Sequence, residues 1–529
     1  LQLSKLSNFI PDGGIWLNAQ RPEWNDANNA LVGYGVSMVT LYYLNRHTLF
    51  LNKVLSDVNS VEVEISSEVV LWFKTIRGVF ENYSSHLGGE TEPKFRKNFV
   101  VELQEAFSKY RSKTYNKTSK TSEKLNVVDL LSFNNLVLQH FESSIKNNLN
   151  NSLYSAYNTI NIDKTNEINV SSLFPMLEGQ VAALSSGWIK PKEAINILSS
   201  LFKSDMYQPE QNSFMLYPQK KLKRFLDKNI IPDDIVNECN LFKRLIKQKN
   251  TEILYVDGIG KYRFNESLIN SSFLEKKLDL ISKTEMYSKD VQKERGKVLN
   301  YYFEIFNHQN YTGRSGTMYA YEGIGSIYWH MVSKLLLATQ ELFFKAINTK
   351  EHISTIKKLG DLYYKIRSGL SSDKTPEQYG AFPYDPYSHT PYKRGAQQPG
   401  MTGQVKEEII TRMGELGCSL KNETLVFQTD LLKLSEFLKE GVVFSYVDIN
   451  HDFCKYDLKP GQLGFTYCQV PIIYQLSEQD CNLSVSFNNQ TSENISGNIL
   501  PSEISNELFS RSGKIKGIKV FCKRSSFLF

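Results

Sequence analysis

Three stretches rich in polar, aromatic or glycine residues each run straight into a segment with apolar residues at helical spacing, and this repetition limits the folds open to the chain. The first is Glu23-Trp24-Asn25-Asp26-Ala27-Asn28-Asn29-Ala30, a poor helix and a poor strand, followed by a helix predicted over 34–55 with Val36, Val39, Tyr43, Leu44 and Leu51 apolar. The second, 312–332, carries four glycines with Arg314, Tyr321, Glu322 and His330, and opens a helix over 326–346. The third, 379–417, is a long Pro/Tyr/Gly loop ahead of a helix over 402–414, with Thr402 as its N-cap. Distinctive residues gathered in loops before helix N-termini are the layout of an α/α barrel, whose active site lies at one end of a ring of helices.

The rest of the chain fits a mainly α first part. Helical periodicity predicts helices over 61–83, 94–110 and 127–148, with a polar exposed loop at 112–124 and an Asn-rich irregular stretch at 147–169 that ends in a strand. A loop and small-residue helix follow over 171–187, with Glu178 and Gln180 at the helix start and Gly187 at its stop, then a helix over 192–203. The stretch from 228 to 310 is mixed and points to no element. Within it, Asp257-Gly258-Ile259-Gly260-Lys261 lacks the full phosphate-loop pattern and reads as a turn. After Gly417 the pattern alternates, and strands are predicted at 425–427, 442–447, 464–474, 483–487 and 518–521. This divides the chain into 1–420, with a helical insertion around 60–170, and a β-rich part at 421–529.

Composition narrows the function classes. The net charge of +6 is spread along the chain, which allows an anionic substrate such as phosphate and does not argue for nucleic acid. The six cysteines have no metal-site spacing and read as free thiols in a reducing compartment, which predicts a cytoplasmic setting and no metal. No apolar run approaches the ~18–20 residues that span a membrane. The start, Leu1-Gln2-Leu3-Ser4-Lys5, is not a signal peptide and lies just ahead of the first stretch, so the chain reads as the C-terminal portion of a longer polypeptide.

The candidate site residues each carry a bland alternative. Trp24 can stack on a sugar, Asn25 can bond hydroxyls, and Asp26 can move a proton as a general acid; Asp26 can equally be a turn or capping acid. Thr402-Gly403-Gln404 opens a helix whose first N–H groups are unpaired and positive, which suits an anion, although Thr402 can also be a plain cap. His330 can add a donor to that anion or sit neutral in an apolar helix. Arg314 is a second cation, and Tyr321 and Glu322 are further candidates for sugar contact. Glu407 and Glu408 lie beside Lys406 and Arg412 and read as a solvated charged face.

These motifs resemble those of the cellobiose-phosphorylase family of inverting glycoside phosphorylases. Trp24-Asn25-Asp26 is similar to the family's Gly-Asp-Trp-Asn-Asp-Gly-Met, whose second Asp, the general acid, falls on Asp26. Gly323-Ile324-Gly325-Ser326-Ile327-Tyr328-Trp329-His330 resembles the Gly-Gly-x-Phe-x-His segment, whose phosphate-contacting His falls on His330. Gly400-Met401-Thr402-Gly403-Gln404 resembles Trp-Leu-Thr-Gly-Thr, whose phosphate-contacting Thr falls on Thr402. Leu177-Glu178-Gly179-Gln180 with Ser186-Gly187 is similar to a segment near the sugar site, and all four follow the family's order. Glu23 in place of the first Asp, Gln404 in place of Thr and the long helical insertion bring the chain nearest to the β-1,3-oligoglucan phosphorylase group.

The resemblance implies an (α/α)6 barrel of the six-hairpin glycosidase kind with a small β-rich C-terminal part. It implies reversible phosphorolysis of β-glucan oligosaccharides with inversion, releasing α-glucose 1-phosphate. Inorganic phosphate is a co-substrate and no cofactor is called for; a homodimer is compatible with it. Two alternatives stand: an inverting hydrolase on the same barrel with Glu322 or Glu407 as base, and a non-catalytic carbohydrate-binding segment.

Overall fold

The computed structural model describes residues 1–19, 31–58, 61–116, 121–162, 167–216, 218, 229–306, 329–370 and 402–529. Near the chain start, β1 (Phe9–Ile10), β2 (Gly14–Trp16) and β3 (Gly35–Ser37) build an antiparallel sheet. Its remaining strands, β6 (Tyr157–Ile162) and β7 (Ile168–Ser172), extend it in the order β1-β2-β3-β6-β7. Gly14 sits at φ +116 with its Cα against Ser37, and an added Cβ would lie 2.6 Å from the Ser37 carbonyl.

Helix α1 (Met38–Asp57) starts later than periodicity alone predicts, because 35–37 pair into the sheet and Ser37 becomes the N-cap, its Oγ accepting from Thr40 N at 3.0 Å. The segment 62–66 is likewise a strand rather than helix: β4 (Glu62–Ser66) pairs with β5 (Ser122–Asn126), inside the stretch read as a loop. Only Val63, Ile65 and Leu125 of this ribbon are apolar enough to face α2 (Ser67–Tyr83), α3 (Pro93–Asn116) and α4 (Val127–Asn147). The irregular expectation over 147–169 is replaced by β6 and the start of β7.

Helices α5 (Leu177–Leu184) and α6 (Pro191–Leu201) share one core with α1–α4, and Gly187 ends the turn after α5 at φ +83. Further on, α10 (Trp329–Asn348), α11 (Ile353–Arg367) and α12 (Thr402–Glu415) pack together, and α10 and α11 join the same core. α11 has no counterpart in the sequence reading, although Ile356, Leu359, Tyr363 and Ile366 line one face.

Residues 229–306 form a second core. The three-stranded sheet β8 (Ile230–Ile231), β9 (Leu254–Val256) and β10 (Tyr262–Phe264) packs with α7 (Asn240–Lys247), α8 (Ser271–Ser282) and α9 (Glu285–Phe306) around Phe242, Phe264, Leu278 and Tyr302. Glu294 of α9 ties this unit together: its Oε2 accepts from Leu241 N (2.8 Å) at the start of α7 and from Cys239 Sγ (3.4 Å). Burial opposes ionisation of Glu294, but the hydrogen bonds from Leu241, Asn240 and Cys239 outweigh it and lower its pKa. The stabilisation is therefore present above the ordinary carboxylate range and is lost as pH falls through the lowered value. Glu294→Ala should cost the amides of α7 about 1–3 kcal/mol of protection at neutral pH. Native-state hydrogen exchange on the full-length protein checks this, and equal exchange in the two proteins at pH 7 would refute it.

The C-terminal part opens with a hairpin of Cys418–Lys421 and Thr424–Phe427, which holds the strand expected at 425–427; a ribbon, β11 (Val442–Val447) and β12 (Phe453–Leu458), and a five-stranded sheet follow. In that sheet the predicted single strand 464–474 is a hairpin of β13 (Gln462–Tyr467) and β14 (Val470–Ser477), folded at Cys468 (φ 49) and Gln469 (φ 64). Two left-handed residues in sequence make the tight turn that matches strand twist, and Cys-Gln carries none of the usual Asn-Gly signal for it. Strands β15 (Asn482–Phe487) and β16 (Ser492–Ser496), helix α13 (Ser502–Phe509) and β17 (Ile515–Lys523) complete the sheet, with β14 and β17 parallel. Phe529 leaves this part and packs on Gly360, Phe343 and Tyr364 of the helical core. All six cysteines are free, and burial pushes the thiols of Cys239, Cys418 and Cys522 up to about 12, so they are protonated and inert at neutral pH.

Candidate active site

The two ends of the first stretch are clamped together by the β2–β3 hairpin. Leu17 N donates to Gly35 O (2.9 Å), Gly33 N to Leu17 O (2.7 Å) and Trp16 Nε1 to Gly33 O (3.0 Å), so Leu17 and Gly33 are held side by side directly before α1. Trp24, Asn25 and Asp26 themselves lie outside the described residues, as do Arg314, Tyr321 and Glu322.

Three helices of this region, α1, α5 and α10, run in one direction. Met38 N, at the start of α1, donates to Ala156 O (3.0 Å), and Gly179, near the start of α5, also lies against Ala156. Further along α1, Asn45 Nδ2 donates to Ser186 O (3.0 Å) just beyond α5. Lys345 Nζ, near the end of α10, donates to Gly187 O (2.9 Å) and Ile189 O (3.0 Å), so α10 ends where α5 ends. Gln340 Nε2 donates to Thr411 O (2.7 Å), which sets the level at which α10 and α12 cross. Glu407, one turn before Thr411, lies close enough to Tyr43 of α1 for its charge to act on the phenol. The N-termini of α1, α5 and α10 therefore lie towards one end of this group.

Between these helices lies a cluster of ionisable side chains. Arg46 of α1 forms a two-pronged ion pair with Glu341 of α10 (2.8 and 2.9 Å) and also donates to Ser185 O, pinning three of the helices. Glu178, in the first turn of α5, accepts from Tyr157 Oη (3.1 Å) and is half-buried. Tyr43 is pushed up to about 12, first by burial and then by the charges of Glu178, Glu341 and Glu407, with Arg46 acting the other way. Yet 41% of Tyr43 is exposed.

The sequence candidates fare differently. Gln180 is fully buried; its Oε1 accepts from Tyr154 N (2.8 Å) and its Nε2 donates to Tyr154 O (2.7 Å) and Met176 O (3.0 Å), so the amide is committed to holding α5 and is not offered to a ligand. His330 is partly buried in the first turn of α10. Thr402, Gly403 and Gln404 form the first turn of α12, and their side chains lie outside the described residues. Glu407 is not on a solvated face: it is 6% exposed, because α12 turns that face towards α1 and α10, while Glu408 is only partly covered. Tyr43, Arg46 and Glu341 were not singled out from sequence. Their types and spacing are those of any amphipathic helix, and only the packing of α1, α5 and α10 brings them together.

Among the described residues no group of three His, Cys, Asp or Glu side chains is placed to hold a metal ion, and no helix is long and apolar enough to cross a membrane. Sequence comparison supports, in general terms, a glycoside phosphorylase. Residues 222–309 match the GH149 phosphorylase insertion domain 2. The described part of that match, 229–306, coincides with the second core, in the stretch where motif reading found nothing. No curated protein matches the chain.

Proposed function

We propose that the chain carries the catalytic helices of an (α/α)6 barrel and phosphorolyses a β-glucan oligosaccharide, most readily a β-1,3 one, with inversion. The observation that supports this reading is the packing of α1, α5 and α10 around the Arg46–Glu341 pair, with Glu178 in the first turn of α5 and His330 in the first turn of α10. The GH149 match adds the reaction class.

In this reading Asp26 donates its proton to the glycosidic oxygen as the bond from that oxygen to the anomeric carbon breaks. A phosphate oxygen forms the new bond to that carbon from the opposite face, giving α-glucose 1-phosphate and an oligosaccharide one residue shorter. Asp26 regains its proton from the phosphate and solvent pool. Phosphate is already an anionic nucleophile, so no second carboxylate is required to activate water. The unpaired N–H groups at the start of α12, with His330 and Arg314, supply the anion pocket. Trp24, Asn25, Tyr321, Glu322 and Glu178 border the sugar, and Gln180 braces α5 behind them.

The test is release of glucose 1-phosphate by the full-length protein from laminari-, sophoro- and cello-oligosaccharides, with and without phosphate. Phosphate-dependent release from the laminari series is the expected result. Glucose released without need of phosphate would make the enzyme a hydrolase, and release from another series alone would move the linkage.

A further inference from the structure

Glu407 is a buried acid for which none of the sequence motifs accounts. It is 6% exposed, and its Oε2 has no hydrogen-bond partner among the described residues. An ionisable oxygen shut away from water and unpaired costs stability, and folds keep such groups where something other than folding requires them. Its surroundings indicate what that is. Glu407 sits on α12 at i+4 from Gly403, on the side of the helix that carries the first-turn backbone of the proposed anion pocket. The Tyr43 phenol is close enough to feel the charges of both Glu178 and Glu407. Tyr43 is the open member of the three.

We propose that Glu407 contacts the saccharide directly, its carboxylate accepting a hydrogen bond from a pyranose hydroxyl, with Tyr43 and Glu178 completing a hydroxyl-binding wall. The inference rests on the phosphorylase reading and deepens it. Sugar hydroxyls are strong donors, and a carboxylate accepts from them without competition once water is excluded. A metal is not the ligand the wall suits, since no three ligating side chains among the described residues converge there. The anion is not its ligand either, because two carboxylates would repel it. That leaves the neutral, hydroxyl-rich substrate.

The experiment compares Glu407→Gln, Glu407→Ala and Tyr43→Phe with wild type in the full-length protein. It measures kcat and KM for laminari-oligosaccharide and for phosphate separately, and melting temperature. Loss of a hydrogen bond to a charged group predicts a fall in kcat/KM for the oligosaccharide of roughly 10–150-fold in Glu407→Ala, with a smaller fall in Glu407→Gln. The KM for phosphate should stay within about two-fold, because nothing at the helix N-terminus has changed. Glu407→Gln should melt no lower than wild type, since the oxygen it replaces is one that the described fold leaves unpartnered. Tyr43→Phe keeps the ring and fold while removing one hydroxyl contact, and it carries the test if Glu407→Ala does not fold.

An active wild type matched by an equally active Glu407→Ala overturns the inference. So does a Glu407→Gln variant that melts well below wild type and loses affinity for both substrates together, which is the behaviour of a structural acid. Failure of the phosphorylase reading looks different, because wild type itself then releases no glucose 1-phosphate from any of the oligosaccharides.

Discussion

Asp26→Asn is expected to lower phosphorolysis of an oligosaccharide by about 10²–10⁴-fold, the range a positioned general acid contributes. Asn has the size and hydrogen-bonding reach of the acid but no proton acidic enough to pass to a leaving alkoxide. Binding should survive, since the hairpin that clamps 17 to 35 and the start of α1 are untouched by the change. A β-glucoside that leaves as dinitrophenolate needs no proton, so the same variant should keep most of its activity on that substrate. Phosphorolysis of both substrates, measured side by side on the full-length protein, decides the matter. An equal loss on the two would mean that Asp26 holds the sugar or the loop rather than donating a proton. Unchanged rates on both would move the acid to another residue, and Glu322 would be the next to test.

What could be read from sequence follows from how local the determining interactions are. α4 was predicted within a residue and α12 almost as closely, because amphipathic period, Asn126 as cap, and Thr402 with Gly417 at the two ends all lie in the segments themselves. The start of α1 was misplaced because Gly35–Ser37 pair with strands from distant parts of the chain. The ribbon of β4 and β5 is hidden for a related reason: its apolar face is only Val63, Ile65 and Leu125, and the two strands that share it lie far apart in sequence. The core at 229–306 escaped motif reading because it holds no cap-loop-helix signature of the site, only packing. At the site, Glu178 and His330 stand in the first turns of α5 and α10, at loop-to-helix boundaries that the local sequence marks. Glu407 was misjudged because a charged helix face beside Lys406 and Arg412 looks solvated until the fold shows which neighbours cover it.

Arg96→Ala should cost the fold about 3–5 kcal/mol, the penalty for removing one partner of a buried ion pair. Arg96 of α3 is 3% exposed and spends its guanidinium on four acceptors: Pro11 O (2.9 Å), Ile168 O (2.9 Å), Thr91 O (2.8 Å) and Asp12 Oδ2 (3.1 Å). Those acceptors belong to the β1–β2 turn, to β7 and to the loop before α3, so one side chain joins both edges of the first sheet to the helices. Asp12 holds a left-handed backbone (φ 61) and also accepts from Thr91 N (2.7 Å) and Asn147 Nδ2 (2.8 Å). Removing Arg96 therefore leaves a buried carboxylate and three backbone carbonyls without their cation. Denaturant unfolding measures the loss. Arg77→Ala is the control, because its partners Glu81 and Asp129 are about half exposed and such a pair is worth about 0–1 kcal/mol. A loss of similar size in the two variants would show that the Asp12–Arg96 pair is not what fastens the sheet. The larger loss carries a second consequence. The sheet that Arg96 fastens also holds the hairpin bearing Asp26, so Arg96→Ala should lower kcat more than it raises KM for oligosaccharide in whatever fraction remains folded, since a loosened hairpin misplaces the acid before it abolishes binding.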